Sequence, residues 1–81
     1  SRKLDLKLYE QARDEYLNQH PFCDRCFKKH SIEIHHKAGK IGSLLYDKRY
    51  FMAVDRICHI WIENNPVESK KLGYSVTRTK L

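Results

Sequence analysis

The sequence lacks any apolar segment long enough to cross a lipid bilayer. None of its apolar runs approaches the roughly 20 residues that a transmembrane helix needs, so we expect no membrane-spanning element. The sequence also lacks repeats, low-complexity stretches and linker-like segments. We therefore expect a single small domain over residues 1–81.

The odd number of cysteines limits how this chain can be stabilised. Three cysteines cannot all pair in disulfides, and no apolar signal segment precedes them. This pattern favours a reduced, cytoplasmic protein. A chain of 81 residues buries only about 60% of the surface that its unfolded form exposes, so its core is marginal without a further staple. A structural zinc ion is the staple that fits these cysteines.

The formal net charge of +6 favours a polyanionic partner, above all nucleic acid. Charge alone is a weak signal, because the basic residues are dispersed and an ordinary soluble surface has a similar composition. The sharpest local excess of positive charge follows the histidine pair at 35 and 36. Its members are our candidate DNA-binding residues: Lys37, Lys40, Lys48 and Arg49.

The first half of the chain predicts a helix, a turn and a strand. Apolar residues between 8 and 16 have helical spacing, which predicts a helix at about 5–18 that ends before Pro21. The C-x-x-C turn follows. Alternation at 32–34 predicts a short strand that ends in the histidine pair, and an irregular basic loop comes after it.

The second half predicts a strand and two helices. The apolar run at 50–54 is the second strand candidate. Asp55 is the predicted N-cap of a helix that runs through Ile62. Asn65, followed by a proline and by an acidic residue at the third helical position, predicts a last helix that ends near Leu72 with Gly73 as its cap.

Cys23 and Cys26 have the spacing of a zinc knuckle, because two intervening residues let both sulfurs reach one ion from a tight turn. Cys58, near the start of the second helix, is the expected third ligand. The alternative for all three cysteines is a small buried apolar residue. In so short a chain, the C-x-x-C spacing favours the metal.

The fourth zinc ligand remains open from the residues alone. Asp55 precedes Cys58 by three positions, which mirrors the C-x-x-C spacing and would supply an oxygen. The same residue is equally suited to capping the helix that follows it. His30 and His20 are the rival ligands, because both lie close to the knuckle in sequence.

The remaining histidines indicate a second, chemical site. His35 and His36 would point to opposite faces of a regular strand, so both can serve one site only if the strand breaks there, as the following glycines allow. His59 and Glu63 are four apart on one helix face and can hold a divalent ion together. The alternative for Glu63 is a solvated helix residue.

Several motifs of this chain, in their order and spacing, resemble those of small phage-type HNH endonucleases. The resemblance extends from about residue 16 to residue 74 and implies a ββα-metal core, in which two strands, a loop and a helix surround one divalent ion. With the first and last helices added, the expected fold is a small α+β domain. The motifs are Cys23-x-x-Cys26, Ile34-His35-His36-Lys37-x-Gly39, Leu44-Leu45-x-Asp47, Phe51-Met52-Ala53-Val54, Cys58-His59-x-x-Ile62, Asn65-Pro66 and Gly73-Tyr74.

The resemblance also implies an activity and its residues. His36 would be the general base, and His35 and His59 would hold the catalytic ion, which could be Mg²⁺, Mn²⁺, Ni²⁺ or Zn²⁺. Glu63 stands where many relatives have a further histidine ligand. The implied reaction is hydrolysis of DNA to 5′-phosphate and 3′-hydroxyl ends. Phage packaging proteins are candidate partners, and a phage-encoded chain would act in the host cytoplasm.

Two positions depart from the family pattern. Asp47 stands in place of the middle asparagine that ties the loop to the core, and Asp55 in place of the third zinc cysteine. A non-catalytic, zinc-stapled DNA-binding module would account for the charge, the cysteines and both departures. It does not account for histidines at all three working positions. A protein-binding zinc ribbon is a third reading, which a lack of salt-sensitive DNA affinity would indicate.

Overall fold

The computed structural model describes residues 1–80, without the side chain of residue 80. Within this range the chain forms three α-helices and a two-stranded antiparallel sheet, which confirms the predicted α+β class. The elements are α1 (Arg2–Gln19), β1 (Glu33–His36), β2 (Phe51–Val54), α2 (Arg56–Asn64) and α3 (Pro66–Lys71). Short 3₁₀ turns lie at Gly42–Leu45, Lys48–Tyr50 and Arg78–Lys80.

Helix ends follow the predicted signals with two differences. Helix α1 begins earlier than predicted because the Ser1 side chain accepts a hydrogen bond from the Leu4 amide at 3.2 Å. Asp55 caps α2 as predicted. Asn65 precedes α3, but its side chain makes no cap bond and donates instead to the Trp61 carbonyl at 2.8 Å.

The sheet separates two apolar clusters, because alternate residues of each strand point to opposite faces. In the register, His35 lies opposite Met52 and His36 lies opposite Phe51. On the first face α1 packs against the sheet through Ala12, Ile34, Phe51, Tyr9, Tyr16, Leu17 and Tyr46. On the second face α2 and the cysteines pack through Cys23, Met52, Val54, Cys58, Ile62, Cys26, Trp61 and Tyr74.

The knuckle that carries the C-x-x-C is attached to β2 by one residue. The Asp24 amide donates to the Ala53 carbonyl at 2.7 Å, and the Ala53 amide donates to the Asp24 carboxylate at 2.9 Å. Ala53 is fully buried, so its amide has no access to water. Asp24 therefore satisfies a backbone donor that the two-stranded sheet leaves unpaired.

The segment after α3 returns to the end of β1. Gly73 adopts a positive φ of 82°, and the amides of Tyr74 and Ser75 both donate to the Ser69 carbonyl. The Val76 amide then donates to the Lys37 carbonyl at 2.8 Å. This path places the segment beside the histidine pair.

No helix among the described residues is both long enough and apolar enough to span a bilayer.

Replacing Asp24 by alanine should lower the free energy of unfolding by about 1–3 kcal/mol, because it leaves the buried Ala53 amide unsatisfied. Asp24→Asn keeps an acceptor oxygen and should cost less. Urea unfolding of the metal-loaded protein measures both values. Asp14→Ala removes an exposed aspartate that pairs only with its neighbour Arg13, and this control should change stability by less than about 0.5 kcal/mol. Equal losses in the Asp24→Ala and Asp14→Ala variants would contradict the role of Asp24.

Candidate functional site

Four side chains, three of them buried and one half-buried, form a candidate metal site. Cys23 and Cys26 come from the knuckle, Asp55 lies between β2 and α2, and Cys58 lies in the first turn of α2. Each offers one ligand atom, and these atoms all lie within 4.8 Å of one another. Three thiols and a carboxylate are a donor set that suits tetrahedral zinc. The arrangement is thus compatible with a structural zinc ion.

Asp55 is both a helix cap and a member of the cluster. One carboxylate oxygen accepts the Cys58 amide at 2.9 Å, and the other lies 3.3 Å from the Cys26 sulfur. The bond from the Cys58 amide is the main reason why the pKa of this carboxyl lies far below its usual range, despite burial. The cap is thus confirmed, and the geometry is compatible with the ligand role as well, because each carboxylate oxygen can serve one of the two.

The rival ligands lie outside this cluster. His30 is exposed and stacks on Phe22. His20 stacks on Tyr16, and its Nδ1 lies 3.2 Å from the Asp24 carboxylate. Neither imidazole belongs to the cysteine and aspartate group.

His35 faces α2, where its ring lies 5.2 Å from the ring of His59. Its Nε2 is 2.7 Å from the Tyr74 carbonyl oxygen. A carbonyl can only accept, so Nε2 carries the proton and Nδ1 keeps its lone pair. The segment after Gly73 thus determines which nitrogen of His35 is available to a ligand.

His59 is oriented by a carboxylate that the sequence analysis did not select. Its Nδ1 donates to Glu33 at 2.7 Å, and its Nε2 lies 3.3 Å from Glu63. Arg56 also contacts Glu33, at 3.3 Å. Strand alternation could have identified Glu33, because it places this residue on the same face of the strand as His35. A carboxylate behind a histidine is typical of metal-binding imidazoles.

His36 lies on the opposite face of the sheet. Strand β1 continues through His36 without a break. The side chains of His35 and His36 therefore point to opposite faces of the sheet. The His36 ring packs against Tyr9 and Phe51, and its Nε2 donates to the Leu45 carbonyl at 2.9 Å. Its Nδ1 is buried and has no hydrogen-bond partner in the described residues.

Burial is the main cause that lowers the pKa of both His35 and His36. Each ring is therefore held in its neutral form near pH 7, with the proton on Nε2 and a lone pair on Nδ1. For His36 that lone pair is the only polar group of the side chain without a partner.

The predicted ligands of a catalytic ion are close but not assembled. His35, His59 and Glu63 do not form a group with all ligand atoms within 4.8 Å, and within residues 1–80 only the cysteine and aspartate cluster does. Glu63 is exposed and reaches this region only through its contact with His59. The His35 and His59 rings are of the kind that divalent transition metals bind.

The predicted DNA-binding residues differ in how freely they reach solvent. Lys40 is exposed, whereas Lys37 is half-buried beside the strand end. Lys48 pairs with Glu15 at 2.7 Å, and Arg49 forms a two-pronged pair with Asp47 at 3.0 and 2.8 Å.

The loop is tied to the core by a backbone group. Asp47 accepts the Arg49 amide at 3.1 Å and so caps a turn within the loop. The Leu45 carbonyl, which accepts a hydrogen bond from His36, connects the loop to the end of β1.

Comparison of the chain with protein-family models, curated proteins and solved structures gave no match. The geometry of the two sites therefore carries the functional argument.

The two roles of Asp55 can be separated by two substitutions. Asp55→Ser keeps a good N-cap but loses the ligand oxygen, so zinc affinity should fall by at least roughly tenfold while the chain still folds at saturating zinc. Asp55→Cys keeps a ligand but caps poorly, so it should retain zinc and lose about 1 kcal/mol of stability. Elemental analysis after dialysis against a chelator measures retention. Wild-type retention in the serine variant would remove Asp55 from the ligand set.

The lowered pKa of the buried histidines predicts an acid-sensitive fold. Unfolded histidine titrates near pH 6.5, so below that value the unfolded chain binds more protons than the folded one. Stability should be fully present above about pH 6.5 and should fall as the pH is lowered. Urea unfolding at pH 7.5, 6.5 and 5.5 measures this, with His36→Gln as the comparison. Because both proteins share the cysteine site, an identical pH dependence in the variant would contradict the assignment to His36.

Proposed function

We propose that this chain is a metal-dependent DNA endonuclease, in which β1, β2 and α2 serve as a ββα-metal core. The observation that carries the proposal is the state of His36. It is a neutral imidazole with its proton held by a backbone carbonyl and its other nitrogen unpartnered. A buried polar atom without a partner needs an explanation, and a proton-accepting role supplies one.

His36 would act as the general base of hydrolysis. The Leu45 carbonyl fixes the proton on Nε2, which leaves Nδ1 to take a proton from the attacking water. The same carbonyl would stabilise the imidazolium that results. Because burial lowers the pKa of His36, the accepting form dominates at neutral pH.

His35 and His59 would hold the divalent ion from the other face of the strand end. When bound, such an ion supplies positive charge to the phosphate and to the leaving oxygen. Tyr74 and Glu33 keep the two rings in the tautomers that leave one nitrogen each for a ligand. A phosphodiester that crosses the end of β1 could then contact His36 on one side and His35 on the other.

The basic residues would bind the flanking phosphates and give affinity with little sequence reading. Lys40 is already exposed. Lys48 would exchange Glu15 for a phosphate, which costs little because exposed ion pairs contribute only about 0–1 kcal/mol. Arg49 would bind phosphate with the part of its guanidinium that faces away from Asp47. We also propose that the cysteine and aspartate site holds structural zinc and so fixes α2, which carries His59.

One observation favours a zinc-stapled DNA-binding module as the second candidate. His36 is only 8% exposed, and its Nδ1 has no access to solvent. A base must reach water, so a closed nitrogen also suits a histidine that only packs. The protein-binding zinc ribbon predicts no salt-sensitive DNA affinity and is tested by the same binding assay.

The deciding experiment is cleavage of supercoiled plasmid by protein that keeps its structural zinc, with Mg²⁺, Mn²⁺, Ni²⁺ or Zn²⁺ added. His36→Ala should fold and bind DNA but cut at least roughly 10²-fold more slowly, the lower range for a lost general base. His59→Ala should lose cleavage through weaker ion binding, and excess Mn²⁺ should partly restore it. His30→Ala, at an exposed histidine outside both sites, is the matched control and should cut normally.

Two results would overturn the proposal as stated. The first is wild-type protein that binds DNA with salt dependence yet cuts with none of the ions, which would favour the DNA-binding module. The second is a His36→Ala variant that cuts as fast as the His30→Ala control, which would remove His36 as the general base.

A further inference from the structure

Arg25 occupies an unusual place for a charged side chain. It lies between the two cysteines of the knuckle, and its guanidinium carbon is 3.9 Å from the centre of the Trp61 ring. One terminal nitrogen lies 3.4 Å from the sulfur of Cys58. The inner nitrogen, Nε, is buried and has no partner in the described residues. An arginine with a sequestered nitrogen is costly, so its position calls for a compensating interaction.

The candidate metal site provides that interaction through its charge. Three thiolates and one carboxylate carry two more negative charges than Zn²⁺ neutralises. This excess lies among buried side chains, where charge without a partner is strongly unfavourable. Arg25 is the cation in direct hydrogen-bonding contact with a member of the cluster. Its single positive charge reduces this excess from two negative charges to one.

We infer that Arg25, held in place by Trp61, is a positioning residue of the metal site that weakens electron donation by the Cys58 thiolate and slows loss of the metal. A hydrogen bond to a thiolate stabilises the sulfur lone pairs and makes them less available to competing acids and electrophiles. Such partners beyond the ligands regularly control metal affinity. The inference rests on the cysteine and aspartate site and not on the nuclease proposal.

The three sulfurs do not share this interaction equally. The Arg25 side chain contacts Cys58, whereas the Arg25 backbone amide donates to Cys23 at 3.4 Å. Arg25→Met keeps the backbone bond and removes the side-chain contact with Cys58. Cys26 is paired with Asp55 instead. The effect of a substitution should therefore arise at Cys58.

Trp61 explains why arginine is the residue used. A planar guanidinium can stack on the indole and still direct a nitrogen at the sulfur in its own plane, whereas a lysine ammonium cannot do both. Arg25→Lys should therefore restore only part of what Arg25→Met loses.

The test uses the folded protein loaded with zinc, or with Co²⁺ in its place. In Arg25→Met the sulfur-to-cobalt charge-transfer band should move to longer wavelength, because the thiolate lone pairs rise in energy. Transfer of zinc to a chromogenic chelator should be on the order of tenfold faster, the change expected for a lost hydrogen bond to a charged group. Arg25→Lys should be intermediate in both measurements.

Lys28→Met is the matched control, because it removes one positive charge from an exposed position of the same knuckle. It should leave both the band and the transfer rate unchanged. If Arg25→Met fails to fold, Arg25→Gln is the second variant, since its shorter amide cannot reach the sulfur, and the same band shift is expected.

Three outcomes would overturn the inference. Faster zinc transfer from Arg25→Met with an unchanged cobalt band would mean that Arg25 only supports the fold. An equal effect of Lys28→Met would mean that net charge acts without the contact. A wild-type protein that binds neither zinc nor Co²⁺ would remove the site itself, and plasmid cleavage would remain a separate question.

Discussion

One carboxylate connects the parts of this structure that would otherwise be independent. Asp55 gives one oxygen to the first turn of α2 and the other to the sulfur of Cys26 in the knuckle. Helix α2 carries His59 and Trp61, so the orientation of both depends on this junction. In a chain with so small a core, a buried polar junction closed by a metal can replace the apolar packing that larger domains use.

The histidines are arranged by strand alternation and by backbone carbonyls. Alternation sends His35 towards α2 and His36 towards α1, and a different acceptor then fixes the proton of each ring. These acceptors are the carbonyls of Tyr74 and Leu45. The loop before β2 and the segment after α3 therefore both act on the histidine pair, although neither contributes a side chain to it.

Sequence reasoning succeeded where residue type determines the interaction. The cysteine spacing predicted a cluster that the structure assembles, and Asp55 was predicted as a helix cap, which is confirmed, and as a ligand, with which its place in the cluster is compatible. The α+β class followed from periodicity. Sequence reasoning was less successful at Asn65, whose side chain donates a hydrogen bond to the preceding helix instead of capping the next one. It also missed Glu33, whose partner lies 26 positions away along the chain. Backbone acceptors such as the Leu45 carbonyl cannot be predicted from residue type, because every residue has a carbonyl.

The separation of the metal ligands along the chain has a consequence for biosynthesis. Cys26 and Asp55 meet across 29 positions, and the knuckle also needs Ala53 to satisfy its own backbone. The knuckle is made early but cannot close until the second strand and the start of α2 have left the ribosome. During that interval two thiols stay open to any passing metal or oxidant, and closure carries the entropy cost of a long loop. Folding of the knuckle is thus timed by the emergence of one short segment, 53–58, which also completes the candidate metal site.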